Sequence, residues 1–225
     1  MHTKEDLLKY KRVHGLKEEI SIKELSLLKK GMPVQKIIGF IKMGSIKIDI
    51  SKNVLIPRYE TEEVILKSLN FLKPGMRVLD LCSGSGFIGL YIKSKIDVDV
   101  VCSDISLESF KQMHINKKIN KLDIKIIKGD LFENIKGKFD LIISNPPYIP
   151  FSTTLDKSIL EYEPKMALFA KNNGNAIYKR IVNEHYKFLK NNGYLVFEIS
   201  DDNSKFIKSN NFKIEKDING KKRIA

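Results

Sequence analysis

Tryptophan is absent from the 225 residues, cysteine occurs twice, and no apolar run approaches the roughly 18 residues of a membrane span. Two cysteines cannot build the disulfide framework of a small secreted domain. Cys82 and Cys102 each fall in or beside an apolar run, where a thiol serves as a small buried hydrophobe in a reducing compartment. The first twenty residues are rich in Lys and Glu and lack an apolar stretch, so a secretory signal is not expected. Internal repeats and low-complexity tracts are also missing. The expectation is a cytoplasmic, monomeric chain with no membrane association and no metal.

Charge is plentiful, at +13 net, and points to a polyanionic partner. The lysines, however, are scattered through every segment and mixed with Ile and Asn. No basic arm or aromatic-interleaved strip appears, so nucleic acid is admitted by the charge but not favoured by the pattern. A hydrophobic fraction of 42% against 30% charged residues suits a globular protein with one buried core.

Residues 1–30 carry apolar positions at helical spacing (Leu7, Leu8, Val13, Leu16, then Ile20, Ile22, Leu25, Leu28), predicting one or two short helices that Gly31 and Pro33 end. Ser45 to Ile50 alternates as a strand of a small hairpin. Residues 60–72 return to helical spacing and close at Lys73-Pro74-Gly75. From Met76 strands and helices alternate. The predicted strands are Arg77–Leu81, Val98–Cys102, Ile124–Ile127, Phe139–Ile143 and Gly193–Glu198; the predicted helices are 86–95, 107–119 and 175–189. Phe212–Ile214 and Arg223-Ile224 flank a turn at Asn219-Gly220, which predicts a closing hairpin. This order predicts an α/β fold, a doubly wound, mostly parallel sheet of seven strands. The expected divisions are a short helical segment over 1–32, a linker with a small hairpin and helix over 33–72, and the sheet domain over 73–225.

Three loops at one sheet edge carry the chemistry. Asp80-Leu81-Cys82-Ser83-Gly84-Ser85-Gly86 joins the first strand to a helix, where glycines let the backbone approach a ligand. Asp80 would repel a pyrophosphate and could orient a cationic amino acid group. Asp104, ending the second strand, is placed to accept hydrogen bonds from ribose hydroxyls. The same acidic placement serves nicotinamide cofactors, and the alternative for Asp104 is a helix N-cap. Asp130, after the third strand, could accept from an adenine amino group, with Leu131 supplying a backbone amide and an apolar wall. The plain alternative is a turn with a solvated Asp.

Asn145-Pro146-Pro147-Tyr148 follows the fourth strand at the same edge. A planar amide or aromatic amine is a poor nucleophile because its lone pair is delocalised. The Asn145 side-chain oxygen and the Pro146 carbonyl, aimed at its hydrogens, would hold the nitrogen in line with a methyl donor and stabilise the charge that develops. Two prolines stiffen the loop, and Tyr148 can stack on the planar group.

Several stretches resemble the protein-(glutamine-N5) methyltransferase family that acts on peptide chain release factors. They are Pro33 to Gly39, Val54 to Glu62 (Val-Leu-Ile-Pro-Arg-Tyr-Glu-Thr-Glu), the glycine loop, Asn145 to Pro150, Glu161 to Leu168, Asn175 to Tyr178 and Asp217 to Gly220. Asn-Pro-Pro-Tyr alone is shared with adenine-N6 methyltransferases of DNA and RNA, the rival reading. The Ile-Pro-Arg-x-Glu-Thr segment is more particular to the glutamine enzymes. The resemblance implies a Rossmann-like class I methyltransferase fold and S-adenosylmethionine as cofactor, with a release factor glutamine in a Gly-Gly-Gln loop as substrate. It implies cofactor contacts at Cys82, Ser83, Gly84, Ser85, Gly86, Asp104, Asp130, Leu131 and Asn145, substrate contacts at Asn145, Pro146, Pro147 and Tyr148, and catalytic work by Asn145, Pro146 and Tyr148. Three departures stand out: Cys82 replaces a usual glycine, Tyr59 a usual proline, and only about thirty residues precede Pro33, where the family usually carries a longer helical region thought to grip the release factor. Arg58 and Glu60 also admit reading as a surface ion pair.

Overall fold

The computed structural model describes residues 2–225. Helices α1 (Lys4–Val13) and α2 (Ile22–Lys29) each begin with a reciprocal cap, Thr3 with Asp6 and Ser21 with Glu24. Each cap satisfies first-turn N–H groups that a helix cannot pair internally. Leu7 and Leu28 pack with Val34 of the short α3 (Val34–Ile38) in a satellite core. The hairpin β1 (Phe40–Met43) and β2 (Ile46–Asp49) follows, and then α4 (Tyr59–Ser68), which ends in a 3-10 turn at Leu69–Phe71.

The main sheet is built from β3 (Arg77–Leu81), β4 (Asp99–Asp104), β5 (Lys125–Lys128), β6 (Phe139–Ser144) and, after the interruption described below, β9 (Leu189–Phe197). Its order is β5-β4-β3-β6-β9 and every pair is parallel. The chain runs outward from β3 in one direction and then returns to its other side. Such a reversal opens a crevice at the carboxyl ends of the strands. Helices α5 (Phe87–Lys95) and α6 (Leu107–Asn120) are the first two crossovers.

Alternation along β3 sets the layers. Val78 joins one core with Leu90, Ile92 and the hairpin's Ile48, while Leu79 and Leu81 join a second with Tyr178, Ile181 and Phe197. Each such fully buried side chain contributes about 1.5–3 kcal/mol. The outer edge of β2 is covered by α6: Asn120, Asn116 and Gln112, spaced one turn apart, accept from the N–H groups of Lys47, Asp49 and Lys52 at 2.8–2.9 Å. That row pairs strand donors that would otherwise form an open edge.

Between β6 and β9 lie β7 (Ile149–Pro150), α7 (Lys157–Tyr162), α8 (Lys165–Leu168), β8 (Phe169–Ala170) and α9 (Ala176–Glu184). The tail forms α10 (Ser204–Ser209), β10 (Glu215–Lys216) and β11 (Lys222–Ile224). Five strands, not the expected seven, form the continuous ladder. The remaining two make the tail hairpin, whose strands are only two and three residues long. They dock on the end of β9, where Phe197 and Ala225 exchange backbone hydrogen bonds (2.8 and 3.0 Å) and Ile199 N–H donates to the Arg223 carbonyl at 2.8 Å. The first hairpin strand also lies later than Phe212–Ile214, because α10 and a left-handed Asn211 occupy the preceding stretch. The helix expected over 175–189 stops at Glu184, and β9 starts early, at Leu189, with an irregularity in its pairing to β6. No helix among the described residues is long and apolar enough to cross a membrane.

Gly89 marks the tightest approach of α5 to the sheet: a Cβ there would stand 2.4 Å from Cys102 Sγ and 3.0 Å from Val100. Alanine gains about 1 kcal/mol of helix propensity, yet overpacking a filled core costs about 1–3 kcal/mol. Gly89→Ala should therefore lower stability in urea melts by a net 1 kcal/mol or so; an unchanged or higher midpoint would contradict this packing.

Candidate functional site

A cavity of about 580 Å³ opens at the carboxyl edge of the sheet, between the ends of β3, β4 and β6. Its volume is that of a small-molecule site. Cys82, Ser83, Gly84, Ser85, Asp104, Asp130, Leu131, Asn145 and Pro147, all expected from sequence, line it.

The glycine loop is held from below and from the side. Ser83 donates its hydroxyl to the Asp80 carbonyl at 2.7 Å, and Asn116 of α6 donates to the Ser85 carbonyl at 2.9 Å. Cys82 adopts φ +58, a left-handed conformation that costs a residue with a Cβ about 1–2 kcal/mol. This is the physical meaning of its departure from glycine. Its side chain packs against the second core, and burial raises its thiol pKa well above the ordinary value. Gly86 lies outside the cavity lining; it caps α5 and abuts Met113.

Asp104 reaches the cavity rim and accepts from Gly84 N–H and Ser106 N–H, both at 2.8 Å. The N-cap of α6 is Ser106, so Asp104 does not fill that role. Burial raises its pKa, opposed by those two backbone donors. Each carboxylate oxygen keeps a further lone pair for a ligand. Ile105, next in sequence, leaves a half-exposed apolar side chain in the cavity. Asp130 also lies in the wall, half-exposed, with Oδ1 3.0 Å from Arg180.

Asp80 departs from expectation. Its side chain shares the Val78 face of β3, under α5, and is wholly buried away from the cavity. One oxygen accepts from Gly89 N–H at 3.1 Å, and Oδ1 has no partner. Burial pushes its pKa up to about 7.

Asn145 stands at the end of β6 with its Nδ2 3.4 Å from Thr61 Oγ1. Its Oδ1 has no partner among the described residues, and neither has the Pro146 carbonyl. Pro146 is buried and lies outside the lining. Tyr148 also lies outside it: its ring packs against the second core, which does not support the expected stacking role. Burial raises the Tyr148 hydroxyl to about 12, in the field of Glu198, Arg223 and Arg58.

The segment before the sheet forms the opposite wall. Arg58 pairs with Glu163, not with Glu60, and Ile56 N–H donates to the other Glu163 oxygen at 2.9 Å. Glu163 is 105 residues away, so sequence spacing gave no sign of it. Thr61 and the rim residues Phe151 and Met166 were also missed. The only signal was that Thr61 sits in the Ile-Pro-Arg-Tyr-Glu-Thr segment.

Residues 47–161 match the family model described as methyltransferase small domain. The release factor glutamine methyltransferase of Lactococcus lactis subsp. lactis is 36% identical over 205 residues, covering 86% of this chain and 76% of that protein. Among solved structures, a methyltransferase from Pyrococcus furiosus superposes with a TM-score of 0.63 at 15% identity, covering 90% of this chain and 95% of that one. A Thermus thermophilus 16S rRNA N2 G1207 methyltransferase, solved in complex with AdoMet and guanosine, superposes with a TM-score of 0.57 at 17% identity, covering 80% of this chain and 46% of that one.

Asp80 also makes stability depend on pH. Its folded pKa, about 7, lies above the ordinary 3.8, so the folded state holds the proton more tightly. Its stabilising contribution is full below about pH 4 and is lost as pH rises through 7. The stability of the natural protein relative to Asp80→Asn, from urea melts at several pH values, should therefore fall between pH 4 and 8. A difference that stays flat with pH would contradict the buried acid.

Proposed function

The chain belongs to the release factor glutamine methyltransferase family, and from that premise we propose that it transfers a methyl group from S-adenosylmethionine to the side-chain amide nitrogen (N5) of the glutamine in the Gly-Gly-Gln loop of a peptide chain release factor. The observation that carries the reading is the unpartnered acceptor Asn145 Oδ1 in the wall of a cavity whose residues fit that cofactor, with the unpaired Pro146 carbonyl next to it in sequence.

The fit rests on three features. Gly84 has φ +56, and a side chain there would meet no protein atom within 4 Å, so a ligand can approach the loop backbone. Asp104 would hold ribose hydroxyls through the lone pairs its backbone donors leave open. Asp130 and Leu131, with the half-exposed Ile105, offer a polar acceptor and apolar surface for an adenine ring. The bound cofactor supplies a methyl group on a cationic sulfur, electrophilic enough for a weak nucleophile.

The chain's own work is positioning. A carboxamide has two hydrogens, and the two acceptors would take one each. That fixes the nitrogen for in-line attack and stabilises the positive charge it acquires. The methylated nitrogen then loses its proton readily, so no strong base is needed. Pro146 and Pro147 keep the acceptors rigid. Tyr148, half-buried with its ring against the second core, acts as an anchor of the loop rather than as a stacking partner. At the mouth, Phe151 and Met166 are exposed, with Lys165 and Lys171 beside them in the lining. An apolar and basic rim suits a protein loop.

Two variants test the roles. Asn145→Ala should lower kcat by about a hundredfold or more, the cost of losing one preorganised polar contact, with the fold retained by circular dichroism. Near-normal turnover would remove Asn145 from the chemistry. Asp104→Ala should weaken cofactor binding in calorimetry by about 1.5–3 kcal/mol, the value of hydrogen bonds to a charged group; unchanged affinity would remove it from the ribose site. The substrate is tested by incubating the protein with isotope-labelled cofactor, a release factor and bulk DNA and RNA. One methyl group on the Gly-Gly-Gln glutamine by mass spectrometry is the expected result. Label on adenine with an unmodified glutamine would overturn the reading in favour of a nucleic-acid enzyme.

A further inference from the structure

Thr61 lies on the first turn of α4, 3% exposed, and its side chain joins the cavity wall. Its Oγ1 is 2.6 Å from Glu198 Oε2 and 3.4 Å from Asn145 Nδ2. Glu198, 2% exposed at the end of β9, is itself firmly held. Its N–H donates to the Ser144 carbonyl at 3.0 Å, and its carbonyl accepts from the Tyr178 hydroxyl at 2.7 Å. Arg223, 3.8 Å from Oε1, is in turn held by Asp217 at 3.3 Å.

A threonine hydroxyl has one hydrogen and two lone pairs. Burial pushes the Glu198 carboxyl up to about 7; once ionised above that pH it only accepts, so the Thr61 hydrogen then goes to Glu198 and Oγ1 can only accept from Asn145. The end of the Asn145 amide that faces Thr61 is thereby required to be the NH2. This matters because the two ends of an asparagine amide are nearly the same shape, and packing alone does not choose between them. Inverted, Asn145 would point N–H groups at the hydrogens of the substrate amide, replacing an attraction with a repulsion.

We propose that Glu198, acting through the Thr61 hydroxyl, is the positioning device that fixes the Asn145 amide with Oδ1 toward the substrate. The inference rests on the proposed role of Asn145 and deepens it. Neither Thr61 nor Glu198 touches the reacting atoms; they act on orientation alone. At 3.4 Å the link to Asn145 lies at the long end for a hydrogen bond.

The test is a double-mutant cycle on glutamine methylation, with Thr61→Val, Asn145→Ala and the pair, and with cofactor affinity measured on each. Valine keeps the shape and removes the hydroxyl. Thr61→Val should lower kcat by about tenfold to a hundredfold while leaving cofactor affinity unchanged. Thr61→Ser, which restores the hydroxyl, should come within about threefold of the natural protein. In the Asn145→Ala background Thr61→Val should change kcat by less than about threefold, because a residue that acts only through Asn145 has nothing left to orient. Should Thr61→Val fail to fold, Thr61→Ala against Thr61→Ser carries the same cycle. A natural kcat in Thr61→Val, or the same fractional loss in both backgrounds, would overturn the inference while leaving Asn145 in place. Natural turnover in Asn145→Ala itself would overturn both.

Discussion

Leu81 sits opposite Ser144 in the parallel pairing of β3 with β6, and the Ser144 hydroxyl donates to the Leu81 carbonyl at 2.7 Å. That register brings the two strand ends level. The glycine loop and Asn145 therefore leave the sheet side by side, and one cavity can serve both a cofactor and an acceptor nitrogen. A slip of one residue would reverse every side chain. Leu79 and Leu81 would leave the second core, and Asp80 would leave its place under α5.

The second requirement is a wall facing those two loops, and it comes from segments far apart in sequence. Glu163, a buried carboxylate after α7, binds both Arg58 and the Ile56 N–H. Lys36 donates to the carbonyls of Ile50, Lys52 and Val54 at 3.0–3.2 Å, bracing the same segment from behind. A buried carboxylate left without its cation is costly, so the pairing holds Ile56-Pro57-Arg58 at the cavity with some force. Thr61 follows on α4 and meets Asn145 there. Three of the stretches that carry the family resemblance, Val54 to Glu62, Asn145 to Pro150 and Glu161 to Leu168, thus touch one another across the site.

Most of the sheet and its loops were legible because their causes are local. Apolar runs ended by Gly, Pro or Asn produce strands and turns within ten residues of themselves, and Asn145, Asp104 and the glycine loop fall where those rules place them. The partners were not legible, because they depend on tertiary pairing. Nothing in the sequence joins Arg58 to Glu163 instead of the nearby Glu60, or Thr61 to Glu198 across 137 positions. Tyr148 shows the same dependence: an aromatic beside a planar-group site suggests stacking, while its half-buried ring packs against the second core. Asp80 misled because strand alternation, which turns it away from the cavity, outweighs its nearness in sequence to the loop. Five continuous strands replaced seven because the tail's strands are too short to extend the ladder and instead dock at its end.

Methyl transfer by this site requires that a substrate carboxamide be held by two acceptors at the end of β6. A crystal structure of the protein with S-adenosylhomocysteine and a peptide carrying Gly-Gly-Gln tests it most directly. The glutamine amide nitrogen is expected within about 2.7–3.2 Å of both Asn145 Oδ1 and the Pro146 carbonyl, with the Asn145 NH2 turned to Thr61. A glutamine bound elsewhere in the cavity, or one whose amide meets the Asn145 NH2, would contradict it.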